Sequence, residues 1–127
     1  MDALPEYLNL CVSVALDVDG TVTCRPKQLT IPTDAIATIT WIRTSGKFRF
    51  RAFKWCQNNG FLTQTPIIHD GCVISAVHNT APDNQGTYCY RLTVAAGNIE
   101  YSTPECPPHF TSEGGGSGNG QPKIKNL

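Results

Sequence analysis

Short segments in which apolar and polar residues alternate recur along this chain, with turn-forming residues between them. An alternation of period two is typical of a half-buried β-strand, and no segment sustains the 3.6-residue period of a helix. Many short strands without helices predict an all-β fold made of packed sheets. The predicted strands cover residues 8–16, 20–24, 35–43, 48–55, 72–77, 88–94 and 99–102.

One of these segments also fits a helix. Residues 35–43 follow Pro32-Thr33-Asp34, in which Thr33 or Asp34 could cap a helix. The segment is rich in the β-branched residues Ile and Thr, which favour a strand. Strand is the preferred prediction and helix the alternative.

Length and charge bound the organisation of the chain. Its 127 residues carry 10 basic and 10 acidic side chains, which suits one domain and gives no reason to expect a nucleic-acid partner. Cys106-Pro107-Pro108 would end a strand, and residues 114–120 contain only Gly, Ser and Asn. We therefore predict a domain over residues 1–106 and a Pro/Gly/Ser-rich linker or stalk over residues 107–127.

Six cysteines in a chain of this size favour an oxidising compartment. The expected location is extracellular or at the cell surface, with a signal peptide and any anchor absent from this chain. No Cys-x-x-Cys pair occurs, and His69, His78 and His109 lack the spacing of metal ligands. We therefore expect no metal, no cofactor, no catalytic residue and no enzyme activity.

The spacing of two cysteines and a tryptophan, together with the segment before the second cysteine, gives the chain a family resemblance. Cys24 is followed by Trp41 and then by Cys89, which ends the segment Asp83-Asn84-Gln85-Gly86-Thr87-Tyr88-Cys89. Over about residues 7–106 this resembles the immunoglobulin superfamily, in which the second cysteine usually ends the pattern Asp-x-Gly-x-Tyr-x-Cys. Gly86 and Tyr88 lie one residue closer to the cysteine than in that pattern, so Tyr88 either points outward or is accommodated by a bulge.

The resemblance implies an immunoglobulin-like two-sheet Greek-key sandwich, of variable or intermediate type, with disulfides. Its central disulfide would join Cys24 to Cys89 and pack against Trp41. The remaining cysteines would pair as Cys56 with Cys72 and Cys11 with Cys106, although six cysteines allow fifteen pairings.

The resemblance also implies a function and a binding face. If Cys89 and Trp41 point into the core, the alternate side chains of their strands form an exposed apolar stripe. We expect an extracellular recognition module of a receptor, an adhesion or allorecognition protein, or a viral immune modulator, which binds a protein partner or a second copy. The alternative is that a shift of register makes the stripe part of the core. The predicted contact residues are Ile42, Tyr88, Tyr90 and Leu92, with Arg43, Arg49 and Arg91 supplying polar contacts.

Two other classes remain open. Asp17-Val18-Asp19-Gly20-Thr21 resembles the first motif of haloacid-dehalogenase-type phosphatases. That resemblance implies a Mg²⁺-dependent enzyme with Asp17 as nucleophile and Asp19 as acid and base. The chain is short for the doubly wound sheet of such an enzyme. An inert spacer within a longer chain is the third class.

Overall fold

The computed structural model describes residues 4–56, 66–106 and 121–127, which form a sandwich of two β-sheets. The strands are β1 (Glu6–Leu16), β2 (Val22–Arg25), β3 (Gln28–Ile31), β4 (Ala35–Ser45), β5 (Arg49–Trp55), β6 (Ile67–Ile68), β7 (Cys72–Asn79), β8 (Gly86–Ala96), β9 (Ile99–Ser102) and β10 (Lys123–Asn126). A short 3-10 helix, Pro82–Asn84, leads into β8. The predicted all-β sandwich is confirmed, and residues 35–43 belong to a strand.

Each sheet contains one parallel pair of strands. The first sheet has the order β2-β1-β4-β7-β6, with β1 parallel to β4. The second has the order β3-β10-β8-β5, with β3 parallel to β10, and β9 also pairs with β8. Immunoglobulin sandwiches are built from two antiparallel sheets. The mixed sheets therefore depart from the predicted immunoglobulin Greek key.

The core lies between the sheets and follows the alternation of the sequence. In β4 the odd-numbered residues from Ala35 to Trp41 are buried, and in β8 the even-numbered residues from Tyr88 to Val94 are buried. Alternate residues of a strand face opposite sides of a sheet, so one parity fills the core while the other forms the outer surface. The first sheet adds Val12, Val14, Val73 and Val77, and the second adds Phe50 and Ile124.

The last residues of the chain belong to the sandwich. Strand β10 lies between β3 and β8, and the Ile124 side chain is fully buried. Two residues further on, the side-chain amide of Asn126 donates hydrogen bonds to the backbone carbonyls of His78 (3.2 Å) and Asn84 (2.9 Å). The predicted domain boundary after residue 106 is therefore wrong for residues 121–127. The rest of the predicted linker, residues 107–120, lies outside the described residues.

No helix in residues 4–56, 66–106 or 121–127 is long and apolar enough to span a membrane.

Replacement of Ile124 by Ala tests the place of β10 in the core. Because the side chain is fully buried between the sheets, Ile124→Ala should lower the free energy of unfolding by about 2–5 kcal/mol. The exposed neighbour gives the control, since Lys125→Ala should change it by less than about 0.5 kcal/mol. Urea denaturation measures both. Equal small effects would show that β10 does not contribute to the core.

Candidate thiol–disulfide site

The register of β8 decides which of its side chains meet the core. The Tyr88 hydroxyl lies within hydrogen-bond distance of the carbonyl oxygens of Asn84 (2.8 Å) and Gln85 (3.0 Å), at the corner that leads into the strand. Tyr88, Tyr90 and Leu92 are at most 1% exposed. Their predicted role as exposed contact residues is therefore wrong, and the alternative in which the stripe belongs to the core is confirmed.

Tyr90 lies where the immunoglobulin pattern would place a cystine. Its ring packs edge-on against the Trp41 indole, with centroids 5.3 Å apart, and stacks on Phe53 at 5.1 Å. The Cys24 thiol points into the core from β2 and lies against the Tyr90 hydroxyl. Because Tyr90 points inward, its neighbour Cys89 points to the outer side of the second sheet. The predicted Cys24–Cys89 disulfide is therefore wrong, and both thiols are free.

Cys89 instead lies opposite Cys56, the first residue after β5. Trp55 of β5 is the cross-strand partner of Tyr90, and the next backbone N–H, that of Cys56, donates to the Cys89 carbonyl oxygen at 3.0 Å. Hydrogen-bonded antiparallel partners have Cα atoms about 5.5 Å apart and side chains on the same face. Trp55 packs on Trp41 and Tyr90 inside the core. The side chains of Cys56 and Cys89 therefore both lie on the outer side of the second sheet, where Cys56 is partly exposed and Cys89 is covered.

Cys56 already has a covalent partner. It forms a disulfide with Cys106, whose Cα atom is 5.2 Å away. The predicted pairs Cys56–Cys72 and Cys11–Cys106 are therefore wrong. Cys11 and Cys72 are free thiols on strands β1 and β7 of the first sheet. The structure thus gathers a disulfide and a third, unpaired cysteine at the end of β5, and we call Cys56, Cys89 and Cys106 the three-cysteine site.

Burial sets the protonation state of the third thiol. Cys89 is completely buried, and this desolvation raises the pKa of its thiol, while the nearby Lys123 ammonium acts in the opposite direction. Lys123 is the cross-strand partner of Cys89 on β10. The thiol form therefore dominates at neutral pH, and the lysine stabilises the thiolate when it forms.

The remaining predicted contact residues do not converge on one surface. Ile42 is 38% exposed on the outer side of the first sheet. Arg43 follows it in β4, and its guanidinium donates to the carbonyl oxygen of Phe48 across the turn into β5. Arg49 is exposed at the start of β5, in the second sheet. Arg91 lies on β8, where its side chain approaches Glu105 near the three-cysteine site.

The phosphatase-like segment is a tight turn between β1 and β2. The backbone N–H of Gly20 donates to the Asp17 carbonyl oxygen, and Gly20 has a φ of 90°, a conformation that favours glycine. The Asp19 carboxylate accepts a hydrogen bond from the Thr21 N–H at 3.0 Å, and its interactions with Thr21 lower its pKa. The two carboxylates thus belong to a turn of an all-β fold, and the phosphatase alternative finds no support.

The described residues contain no group of three or more His, Cys, Asp and Glu side chains placed to hold a metal ion. His69 and His78 lie in this part of the chain, and His109 lies outside it.

No protein-family model and no curated protein matches the sequence. The similar solved structures include two of rusticyanin. Reduced rusticyanin is 18% identical in sequence, with a TM-score of 0.37, and the match covers 94% of this chain and 79% of the rusticyanin chain. Rusticyanin from Thiobacillus ferrooxidans is 19% identical, also with a TM-score of 0.37, over 94% of this chain and 77% of the other. At these values the similarity carries no argument about the activity of this chain.

These findings correct the family assignment. Each sheet contains a parallel pair of strands, and Cys24 and Cys89, which would form the central immunoglobulin disulfide, are both free thiols. The immunoglobulin assignment is therefore wrong. The expectations that rested on this assignment fall with it, namely extracellular protein recognition through a sheet face, an adhesion or immune role, and the absence of enzyme activity. The predicted recognition face is itself lost, because Tyr88, Tyr90 and Leu92 lie in the core.

The pH dependence of stability tests the burial of Cys24. Burial raises the pKa of its thiol from 9.0 to about 11. Between pH 9 and pH 11 the unfolded chain would lose this proton first, so stability present below pH 9 falls as the pH rises. The expected loss from this group is roughly 2–3 kcal/mol. Cys24→Ala should give a flatter profile in urea denaturation at pH 8, 9, 10 and 11. Parallel profiles for the two proteins would contradict the buried position of Cys24.

Proposed function

We propose that the chain is a redox-responsive β-sandwich in which Cys89 exchanges with the Cys56–Cys106 disulfide. The observation that carries this proposal is the position of Cys89 directly across the ladder from Cys56. A hydrogen-bonded cross-strand pair has a Cα separation of about 5.5 Å, which lies within the range that a disulfide spans. Cys89 is thus the cross-strand neighbour of a cysteine that is already bonded to Cys106.

The exchange needs no external oxidant or reductant. Cys89 gives up its proton, which is matched in the net reaction by the proton that Cys106 gains, and the Cys89 thiolate attacks Sγ of Cys56. A bond forms between Cys89 and Cys56 while the bond between Cys56 and Cys106 breaks. Cys106 leaves as a thiolate and takes a proton from solvent. One disulfide and one thiol are present before and after the step, so no electrons enter or leave the chain.

Chain entropy barely distinguishes the two disulfides. The present bond joins residues separated by 50 positions, and the alternative bond would join residues separated by 33 (89 − 56). In the loop-closure relation, this difference is worth only about 0.4 kcal/mol. Local contacts and the protonation of Cys89 therefore decide which bond is populated. Small changes at the site can then move the equilibrium in either direction.

The exchange would change what the disulfide restrains. Cys106 follows β9 at the end of the described segment 66–106, and its bond ties that segment to the end of β5. A Cys56–Cys89 bond would join two strands that are already paired and would release Cys106. An oxidising compartment is the setting in which the present disulfide persists, so we propose that the protein works there.

Replacement of Cys106 by Ser tests the proposed exchange. Removal of the leaving partner should let Cys56 pair with Cys89 when the variant is incubated with oxidised glutathione, because the two cysteines are cross-strand neighbours. Alkylation in acid and peptide mapping by mass spectrometry would detect the new disulfide.

The control for this experiment is Cys72→Ser, which removes a free thiol of the first sheet and should retain the Cys56–Cys106 bond. If Cys106→Ser folds but yields Cys56 as a free thiol or only as a glutathione adduct, Cys89 is not its exchange partner.

A further inference from the structure

Cationic side chains surround the three-cysteine site on the outer side of the second sheet. Lys54 lies two residues before Cys56, and Arg91 lies two residues after Cys89, so each shares the face of its cysteine. Lys54 and Arg91 are also direct cross-strand partners. Like charges in that arrangement are destabilising. Two cations therefore lie on the face of the sheet that carries the sulfurs, although the Arg91 guanidinium also donates to the Thr103 carbonyl oxygen at 3.4 Å.

A third cation lies on the other side of Cys89. Lys123 of β10 is the cross-strand partner of Cys89, and its charge favours the thiolate of that residue. Lys125 continues the same row of β10 and is exposed. Positive charge thus flanks the site from β5, β8 and β10.

Two carboxylates near the site pair with arginines. Glu105 precedes Cys106, and its carboxylate lies 3.9 Å from the Arg91 guanidinium, but the Glu105 side chain is 84% exposed. Glu100 on β9 pairs with Arg51 at 3.2 Å. Glu105 thus offsets part of the charge of Arg91, and Lys54 lies beside Arg91 on the same face.

We infer that the reductant of the Cys56–Cys106 disulfide is a small thiol that carries carboxylate groups. This inference goes beyond the proposed exchange and shares with it only the Cys56–Cys106 disulfide. Cys56 and Cys106 are both partly exposed, so an external thiol can reach the bond, whereas Cys89 is buried. The cations attract an anionic thiol and stabilise the negative charge that accumulates as the thiolate attacks.

The reaction consumes two molecules of the thiol. The first thiolate attacks Sγ of Cys106, forms a mixed disulfide and releases Cys56 as a thiolate. A second thiolate attacks the sulfur of the bound thiol, which gives the oxidised small disulfide and releases Cys106. Two electrons pass from two thiols to the protein disulfide. The two protons lost by the thiols are matched by those that Cys56 and Cys106 take up.

Reduction rates with three small thiols test the inference. The probes are 3-mercaptopropionate, which carries a carboxylate, 2-mercaptoethanol, which is uncharged apart from its thiol, and cysteamine, which carries an ammonium group. Each rate is divided by the rate of the same thiol with an uncharged small disulfide, which removes differences in nucleophilicity. At low salt the normalised rate should be about tenfold higher for 3-mercaptopropionate than for cysteamine, and the preference should shrink in 0.5 M salt.

Variants that remove single charges test whether the preference for the anionic thiol comes from the cations beside the cysteines. Lys54→Gln and Arg91→Gln should each reduce the preference about two- to threefold. The matched control is Lys47→Gln, which removes an exposed cation from the turn between β4 and β5 and should leave the preference unchanged. Urea midpoints for each variant show that the fold is intact.

Equal normalised rates for the three thiols at low salt would overturn the inference. The proposed exchange could still hold in that case, because it is read from the Cys56–Cys89 bond in Cys106→Ser. Conversely, a preference for the anionic thiol without that bond would retain the reductant class and remove the internal exchange.

Discussion

The inward position of Tyr90 is the constraint on which the rest of the structure depends. Tyr90 packs with Trp41 and Phe53 at centroid distances of 5.3 Å and 5.1 Å, and Trp41 and Phe53 are themselves 4.7 Å apart. A shift of β8 by one residue would move every side chain of that strand to the opposite face. Exposing Tyr88, Tyr90, Leu92 and Val94 would cost roughly 6–12 kcal/mol. A Cys24–Cys89 disulfide would return only about 4 kcal/mol.

The same register determines the chemistry of the cysteines. With the tyrosines inside, Cys24 remains a buried thiol under the aromatic cluster, and Cys89 faces outward beside Cys56. The disulfide with Cys106 lies on the same outer face, next to the cations of β5, β8 and β10. Packing in the core thus places a third sulfur within reach of a disulfide. The proposed exchange and the proposed preference for an anionic thiol both follow from this placement.

Much of the fold could be predicted because alternation is a local property. The seven predicted segments correspond to strands of the structure. The missed strands are the short β3, β6 and β10. In β10 only Ile124 is apolar, and the strand is defined by its pairing with β3 and β8, which lie far away in sequence. Local patterns carry no information about such pairing.

The three-cysteine site is harder to predict, because it depends on which alternate side chains of β8 point into the core. Arg91 shares the parity of Cys89 and marks the solvent side of β8, so it was the available signal that Cys89 faces outward. The immunoglobulin-like spacing of Cys24, Trp41 and Cys89 pointed the other way. The bond between Cys56 and Cys106 is one of fifteen possible pairings, and the sequence does not rank it without a register.

Nuclear Overhauser effects within the core test the central claim most directly. The account predicts strong contacts between the ring protons of Tyr90 and the indole protons of Trp41, together with contacts from the Cys89 β-protons to the Lys123 side chain. Contacts from the Cys89 β-protons to the Trp41 indole, with the Tyr90 ring near Lys123 instead, would show the opposite register and contradict the account.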